Sequence, residues 1–285
     1  MQQTLSLPLQ INGIGLHSGA KVNLNILPAE ENTGIMFCRT DTQDRAEIKA
    51  LYSNVVDTRN CTCLGDNNGN LVSTIEHLMA SLFVAGIDNA FIEIDNQEVP
   101  IMDGSGIQFY ENLAIANKKM QNAPRKILKI MKEVIYKDNN GNTVSLSPAN
   151  SLEIDFGIDF PSPIVGKQRF CAEITKEIFA SQIAPCRTFC EKHQVDYLKS
   201  IGLIKGGSLE NAVVLDGNTI LNDGGFRIKN ECVNHKVLDA IGDLYTSGYR
   251  IIGKLTADKT GHFHTNELLK KLFSDSSNYK IEVEK

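Results

Sequence analysis

The sequence predicts an α+β protein made of two similar α/β sandwich domains, helices packed on sheets, with a site at the junction between them. Three observations carry that expectation. Apolar residues alternate along strand-like runs in both halves, as in Leu5, Leu7, Leu9 and Ile11, then Val22, Leu24 and Ile26, and again from Leu152 to Phe160. Two helical patterns, residues 73–85 and 233–247, each stop at a glycine, Gly86 and Gly248, and each run straight into a strand pattern. Each helix also carries one histidine near its start, His77 and His235. No repeat aligns residue by residue, so the duplication is one of element order.

Size and charge bound the classes. With 285 residues, 42% of them hydrophobic, the chain can bury a real core in one large domain or two of ordinary size. A net charge of −5 without any Lys/Arg-rich run lacks the basic footprint of a nucleic-acid reader. Met1-Gln2-Gln3-Thr4 has neither a positive n-region nor a following apolar segment, and no apolar run is long enough to span a bilayer. The seven cysteines are odd in number and scattered, which fits free thiols in a reducing cytoplasm.

In chain order, a first domain is expected over residues 1–122. Residues 4–28 read as a strand pair joined through Gly13-Ile14-Gly15-Leu16-His17-Ser18-Gly19. The glycine spacing is wrong for a dinucleotide loop and no crossover helix follows, so this is a turn carrying His17. Ser73 to Ala85 reads as a helix, with Ser73 and Glu76 spaced as a capping box and Leu78, Leu82 and Phe83 on its apolar face. A strand over Ile87–Ile94, a tight loop at Asp103-Gly104-Ser105-Gly106 and a helix over Ile107–Met120 follow. The polar stretch Lys118–Lys126, holding Pro124, reads as a linker to a second domain over 127–285. That domain begins with strands at Ile127–Tyr136, Thr143–Leu146 and Leu152–Phe160, with a hairpin signal at Asn139-Asn140-Gly141-Asn142. Helical patterns at Ala172–Ser181 and Val195–Ile201, a strand at Ala212–Leu215, a helix at Val233–Ser247 and a strand at Tyr249–Leu255 complete it.

The chemistry concentrates on the last helix. His235 and Asp239 are four residues apart and share one face, and Asp243 extends the row. Two readings stand for such a pair. It can chelate Zn²⁺, which in catalytic sites usually takes three protein ligands and a water, or it can be a surface ion pair worth about 0.2–0.5 kcal/mol. A zinc site needs a third ligand, and His77 is the best candidate among the six histidines. Its neighbour Glu76 points roughly 100° away on a helix, so it would stand beside a metal-site water as a general base. A capping role for Glu76 is the plainer alternative, and the two are compatible. Cys61-Thr62-Cys63 has no second cysteine pair at ligand spacing and reads as strand. His193 and His264 read as surface residues.

The fragments add up. Ser73-Thr74-Ile75-Glu76-His77-Leu78, Val99-Pro100-Ile101-Met102-Asp103-Gly104-Ser105, His235-Lys236-Val237-Leu238-Asp239-Ala240-Ile241-Gly242-Asp243 and Thr260-Gly261-His262 occur in this order. With the glycine turn at 13–19 and Arg187-Thr188-Phe189, they resemble the UDP-3-O-acyl-N-acetylglucosamine deacetylase family, zinc amidases of lipid A and hence lipopolysaccharide biosynthesis. The resemblance spans nearly the whole chain. It implies hydrolysis of the 2-acetamido group of a UDP-sugar bearing a 3-hydroxyacyl chain, with one Zn²⁺ held by His77, His235 and Asp239, a site for which Fe²⁺ could compete in the cell. It implies Glu76 as the general base, and His262 as the cation that stabilises the oxyanion and protonates the leaving amine. Asp243 would orient His262, and Thr188 would contact the oxyanion. Lys236 and Lys259 match positions near the diphosphate, while Phe189 and the 190–207 segment match an acyl tunnel. Cys61 lies close to the family's active site without catalytic duty, and His17 is a candidate to approach the substrate. The family likeness also implies a cytoplasmic monomer.

Three positions depart from the family pattern: Asn234 where Arg is frequent, Cys190 where Gly is common, and Phe263-His264 in place of small apolar residues. Two other classes share parts of this signature. A zinc hydrolase of a different acylated sugar or amide would keep the ligands and lack the tunnel. A structural zinc site would close with four protein ligands, and only three convincing ones are present.

Overall fold

The alternation near the N-terminus becomes a hairpin. In the computed structural model, which describes residues 1–284, strand β1 (Leu9–Ile14) pairs antiparallel with β2 (Lys21–Pro28), and Val22, Leu24 and Ile26 point inward and are buried. With β3 (Ile35–Arg39), β4 (Glu47–Lys49) and β5 (Ala90–Ile94) they form a five-stranded sheet in the order β1-β2-β5-β3-β4. Only the β3–β5 pairing is parallel.

The second sheet holds β6 (Lys126–Ile130), β7 (Val134–Lys137), β8 (Thr143–Ser147), β9 (Leu152–Asp159), β10 (Lys167–Glu173), β11 (Arg250–Asp258) and β12 (Tyr279–Val283). Its path β7-β8-β11-β9-β10 repeats the first sheet's order, antiparallel at every step except the parallel β9–β11 pairing. Strands β6 and β12 are an addition, β6 lying parallel to the start of β11 and β12 antiparallel to β6.

The helices repeat as well. Helix α1 (Glu76–Ala85) leads into β5, which α2 (Ile107–Ile115) follows. Between β10 and β11 lie α3 (Lys192–Ser200) and α4 (Glu231–Tyr245); α4 leads into β11, and α5 (His262–Phe273) comes after it. All ten residues of α1 are buried, as are all but Lys236 of α4, and one contiguous apolar core joins both helices to both sheets. A helix buried all round must pack between layers rather than on a surface. Glycine makes the close approach possible: a Cβ at Gly242 of α4 would overlap the carbonyl oxygen of Glu76 at the start of α1.

Several boundaries differ from the sequence reading. Helix α1 begins at Glu76 rather than Ser73, and no capping box forms. Ser73 instead receives Val99 N–H at its carbonyl and donates its own N–H to Gln97, while Thr74 turns the chain at φ +58°. The turn that would have carried the cap is spent on this strand-like pairing. Helix α2 stops at Ile115, and Lys118–Met120 pairs antiparallel with Gln3–Leu5 instead of continuing it. Residues 172–181 divide between the end of β10 and a short helical turn over Lys176–Ile183. Phe189–Glu191 and Val213–Asp216 pair in parallel, with α3 between them in sequence, and build a small three-stranded sheet of their own with Thr219–Ile220. Among the described residues no helix is long and apolar enough to cross a membrane.

Candidate active site

The start of α1 and the first nine residues of α4 bring His77, His235 and Asp239 together. Asp239 Oδ1 lies 3.4 Å from His77 Nε2 and 3.4 Å from His235 Nε2, and the two imidazoles meet edge to face at 5.0 Å. His235 Nδ1 sits 3.0 Å from the carbonyl oxygen of Cys186, which fixes the ring proton on that nitrogen and turns the Nε2 lone pair toward Asp239. Burial pushes the His235 pKa down to about 3, so the ring is neutral.

Burial also opposes a charge on Asp239, yet positive charge around it, including the Lys236 ammonium 2.8 Å from Oδ2, holds its carboxyl well below the usual carboxylate range. Its other oxygen, Oδ1, is buried without a hydrogen-bond donor. A buried anionic oxygen facing an imidazole lone pair is costly unless a cation lies between them. Two nitrogens and a carboxylate oxygen also make a donor set that suits zinc with an open fourth position. The three donor atoms lie within 4.8 Å of one another, so the residues fit a metal ion.

Beside this cluster stand two groups suited to moving protons. Glu76, the first residue of α1, is 3% exposed; burial pushes its carboxyl up, more than His262 and His77 draw it down. Its Oε2 accepts the Thr62 N–H at 3.0 Å, and its Oε1 lies 4.0 Å from His262 Nε2. His262 opens α5, and its Nδ1 is 2.8 Å from Asp243 Oδ2. Although burial works against its charge, Asp243 lifts the His262 pKa to about 9, so the ring is a cation at neutral pH. Asp243 Oδ1 in turn accepts the Thr62 hydroxyl at 2.6 Å.

A cavity of about 880 Å³ opens alongside, lined by Thr188, Phe189, Lys236, Lys259 and His262 and by the apolar side chains of Val195, Leu198, Ile204 and Leu221. The Phe189 ring packs 6.4 Å from His235 and 5.1 Å from Phe160. The segment that carries Thr188 and Phe189 is pinned at its base. Arg187 N and Nε donate to Glu231 Oε1 at 3.0 and 2.8 Å, and Glu231 is 1% exposed at the start of α4.

Comparison with known proteins decides the family. Residues 2–274 match the family described as UDP-3-O-acyl N-acetylglycosamine deacetylase. A UDP-3-O-acyl-N-acetylglucosamine deacetylase from a Nitratiruptor species is 45% identical over 281 residues, 98% of this chain and 93% of that protein. Deacetylases of the same name from Pasteurella multocida and Syntrophotalea carbinolica are each 43% identical, over 98% of this chain and 92% and 90% of their own length. The chain belongs to this deacetylase family.

The positions matched to the family's substrate contacts are placed unevenly. Lys236 lines the cavity, but its ammonium is engaged by Asp239. Lys259 also lines it, in the left-handed region at φ +54°, and pairs with Asp159 at 2.9 Å. His17 lines this cavity and a neighbouring one, with both ring nitrogens buried and lacking partners; the backbone N–H groups of His17 and Ser18 each reach Glu98 at 2.8 Å. Cys61 is buried and lines only the neighbouring cavity, and burial, then Glu76, push its thiol up.

Of the departures from the family pattern, Asn234 is buried and donates to Gln182 O at 2.9 Å, tying α4 to the helical turn before it. His264 is not a free surface residue: it is half-buried, 3.0 Å from Asp138 Oδ2, and accepts the Gly261 N–H at 3.4 Å. His193 is exposed. Cys61-Thr62-Cys63 reads as strand, but only Cys63 joins one, and neither spacing nor residue type marks Thr62 or Glu231 as part of a site.

Proposed function

We propose that this protein removes the acetyl group from UDP-3-O-(3-hydroxyacyl)-N-acetylglucosamine, releasing acetate and the free 2-amine, the committed step of lipid A biosynthesis. The observation that carries this reading is the convergence of three metal-donor atoms on one buried point, flanked by a carboxyl of raised pKa and a histidine held as a cation.

His77, His235 and Asp239 would hold the ion, and zinc fits that donor set. Zinc bound there would supply Lewis acidity, polarising the amide carbonyl and bringing the pKa of water toward ~7. Glu76 takes the proton from the attacking water as its oxygen bonds to the acetyl carbon. A carboxyl of raised pKa is a better proton acceptor than an ordinary one. The His262 cation and the Thr188 hydroxyl face the negative charge that grows on the former carbonyl oxygen. When the C–N bond breaks, His262 Nε2 gives its proton to the departing amine, while Asp243 holds the ring through Nδ1. Water gives a proton to Glu76 and His262 gives one to the amine, so resetting the site returns the Glu76 proton to His262.

The apolar lining contributed by Val195, Leu198, Ile204 and Leu221 favours an acyl-chain substrate over an amidase of small polar amides. Lys259 and Lys236 line the cavity and would serve the diphosphate as point cations by exchanging their present partners, Asp159 and Asp239. The matching strand order of the two sheets supports reading residues 1–122 and 127–285 as two domains with the site at their junction. A cytoplasmic monomer is what the family likeness implies, and free cysteines fit a reducing compartment. The direct test is to incubate the zinc-loaded protein with this substrate and follow acetate and free amine. Equimolar release supports the reading; an intact acetamide overturns it.

A further inference from the structure

Thr62 touches both proton-handling arms of the site. Its backbone N–H donates to Glu76 Oε2 at 3.0 Å and its hydroxyl donates to Asp243 Oδ1 at 2.6 Å. Its carbonyl accepts the Ile75 N–H at 3.4 Å, immediately before α1. The residue is 3% exposed and sits directly before the strand Cys63–Gly65, the middle strand of a small sheet with Val55–Asp57 and Leu71–Val72, which anchors its backbone.

Each contact answers a need of the neighbouring group. Asp243 has two carboxylate oxygens in a buried setting: Oδ2 is committed to His262, and Oδ1 has the Thr62 hydroxyl. With both oxygens held, the carboxylate plane is fixed, and so is the imidazole hydrogen-bonded to it. Glu76 shows the same division, Oε2 held by the Thr62 amide and Oε1 left facing His262 at 4.0 Å. One residue thus selects which oxygen of the base stays available and which way the acid points.

We propose that Thr62 is a positioning residue for the deacetylation, locking Glu76 and the Asp243–His262 pair into one geometry through its amide and its hydroxyl. The proposal rests on the reading of Glu76 as base and of Asp243 and His262 as the acid pair. The hydroxyl is the part that mutation reaches. Thr62→Val keeps the shape and the amide but removes the donor to Asp243; Thr62→Ala removes the donor without placing a methyl against the carboxylate; Thr62→Ser restores the donor.

The test measures kcat, KM and metal content of zinc-loaded enzyme for Thr62→Val, Thr62→Ala, Thr62→Ser, Asp243→Asn and the Thr62→Val/Asp243→Asn double variant. The expected result is a fall in kcat of about 10–100-fold in the Val and Ala variants, with KM within about twofold and metal content unchanged. Thr62→Ser should stay within about threefold of wild type, and the double variant within about threefold of Asp243→Asn alone, since both changes disable the same arm. If Thr62→Val perturbs the fold, the contrast between Thr62→Ala and Thr62→Ser carries the test. A slow Asp243→Asn beside unimpaired Val and Ala variants overturns the role of Thr62 alone. So does a Ser variant as slow as Val, or losses that multiply in the double variant. An undiminished Asp243→Asn overturns the acid pair itself and this inference with it.

Discussion

His262 Nδ1 lies 2.8 Å from Asp243 Oδ2, and Asp243 sits one turn along α4 from Asp239, so a single helix carries both a candidate metal ligand and the partner that charges the histidine. Any slide of α4 would move both together.

The charge on His262 predicts a pH profile. Its pKa is raised from 6.5 to about 9 against the opposing effect of burial, chiefly by Asp243. Deacetylation should therefore decline as pH rises through about 9. Asp243→Asn removes the largest raising charge and leaves burial opposed by Glu76 and Asp239 alone, so the basic limb should move to lower pH. The same shift bears on stability: a pKa raised in the folded state contributes stability fully present below 6.5 and lost as pH rises through about 9. Urea midpoints of wild type and Asp243→Asn should thus differ most below that window and converge above it.

Glu76 is expected to act on protons and not on the metal. Glu76→Ala should lower kcat by about 10²–10⁴-fold while metal content stays at the wild-type level. Metal analysis alongside the assay separates the two roles, and full turnover in the variant would remove Glu76 from the mechanism.

Gly242 tests the helix contact. A Cβ there would overlap the Glu76 carbonyl, so Gly242→Ala should push α4 and α1 apart, costing about 1–3 kcal/mol of stability. It should also lower kcat, because Glu76 and Asp239 belong to the two helices that separate. Chemical denaturation and the deacetylation assay read the two effects independently.

The cavity predicts chain-length selectivity. Ile204 is 8% exposed on its wall. Ile204→Trp should lower kcat/KM for a long 3-hydroxyacyl substrate by about tenfold or more and leave a short-chain analogue nearly unaffected, since lost apolar contact scales with buried chain. Equal losses on both substrates would place the acyl chain elsewhere.

How much of this was legible beforehand depends on sequence distance. The helical spacing of His235, Asp239 and Asp243 was readable because a single helix fixes it, and the alternation in β1 and β2 was readable because a sheet face enforces it. The Ser73 capping box failed because the backbone of Ser73 is claimed by Gln97 and Val99, a pairing no local rule reports. Thr62 was invisible for the same reason: its partners lie 14 and 181 residues away in sequence. The matching strand orders leave no residue-level repeat, because connectivity constrains the backbone path while packing accepts many apolar side chains at each position. The motif resemblance bridged part of that gap by supplying partners that spacing alone does not.

The central claim is that His77, His235 and Asp239 hold a metal ion, and its most direct test is the metal content of the purified protein measured beside His235→Ala and Asp239→Ala. The expected result is about one zinc or iron per wild-type chain and loss of the metal in both variants. A metal-free wild type prepared without chelators, or variants that retain the ion, would contradict it.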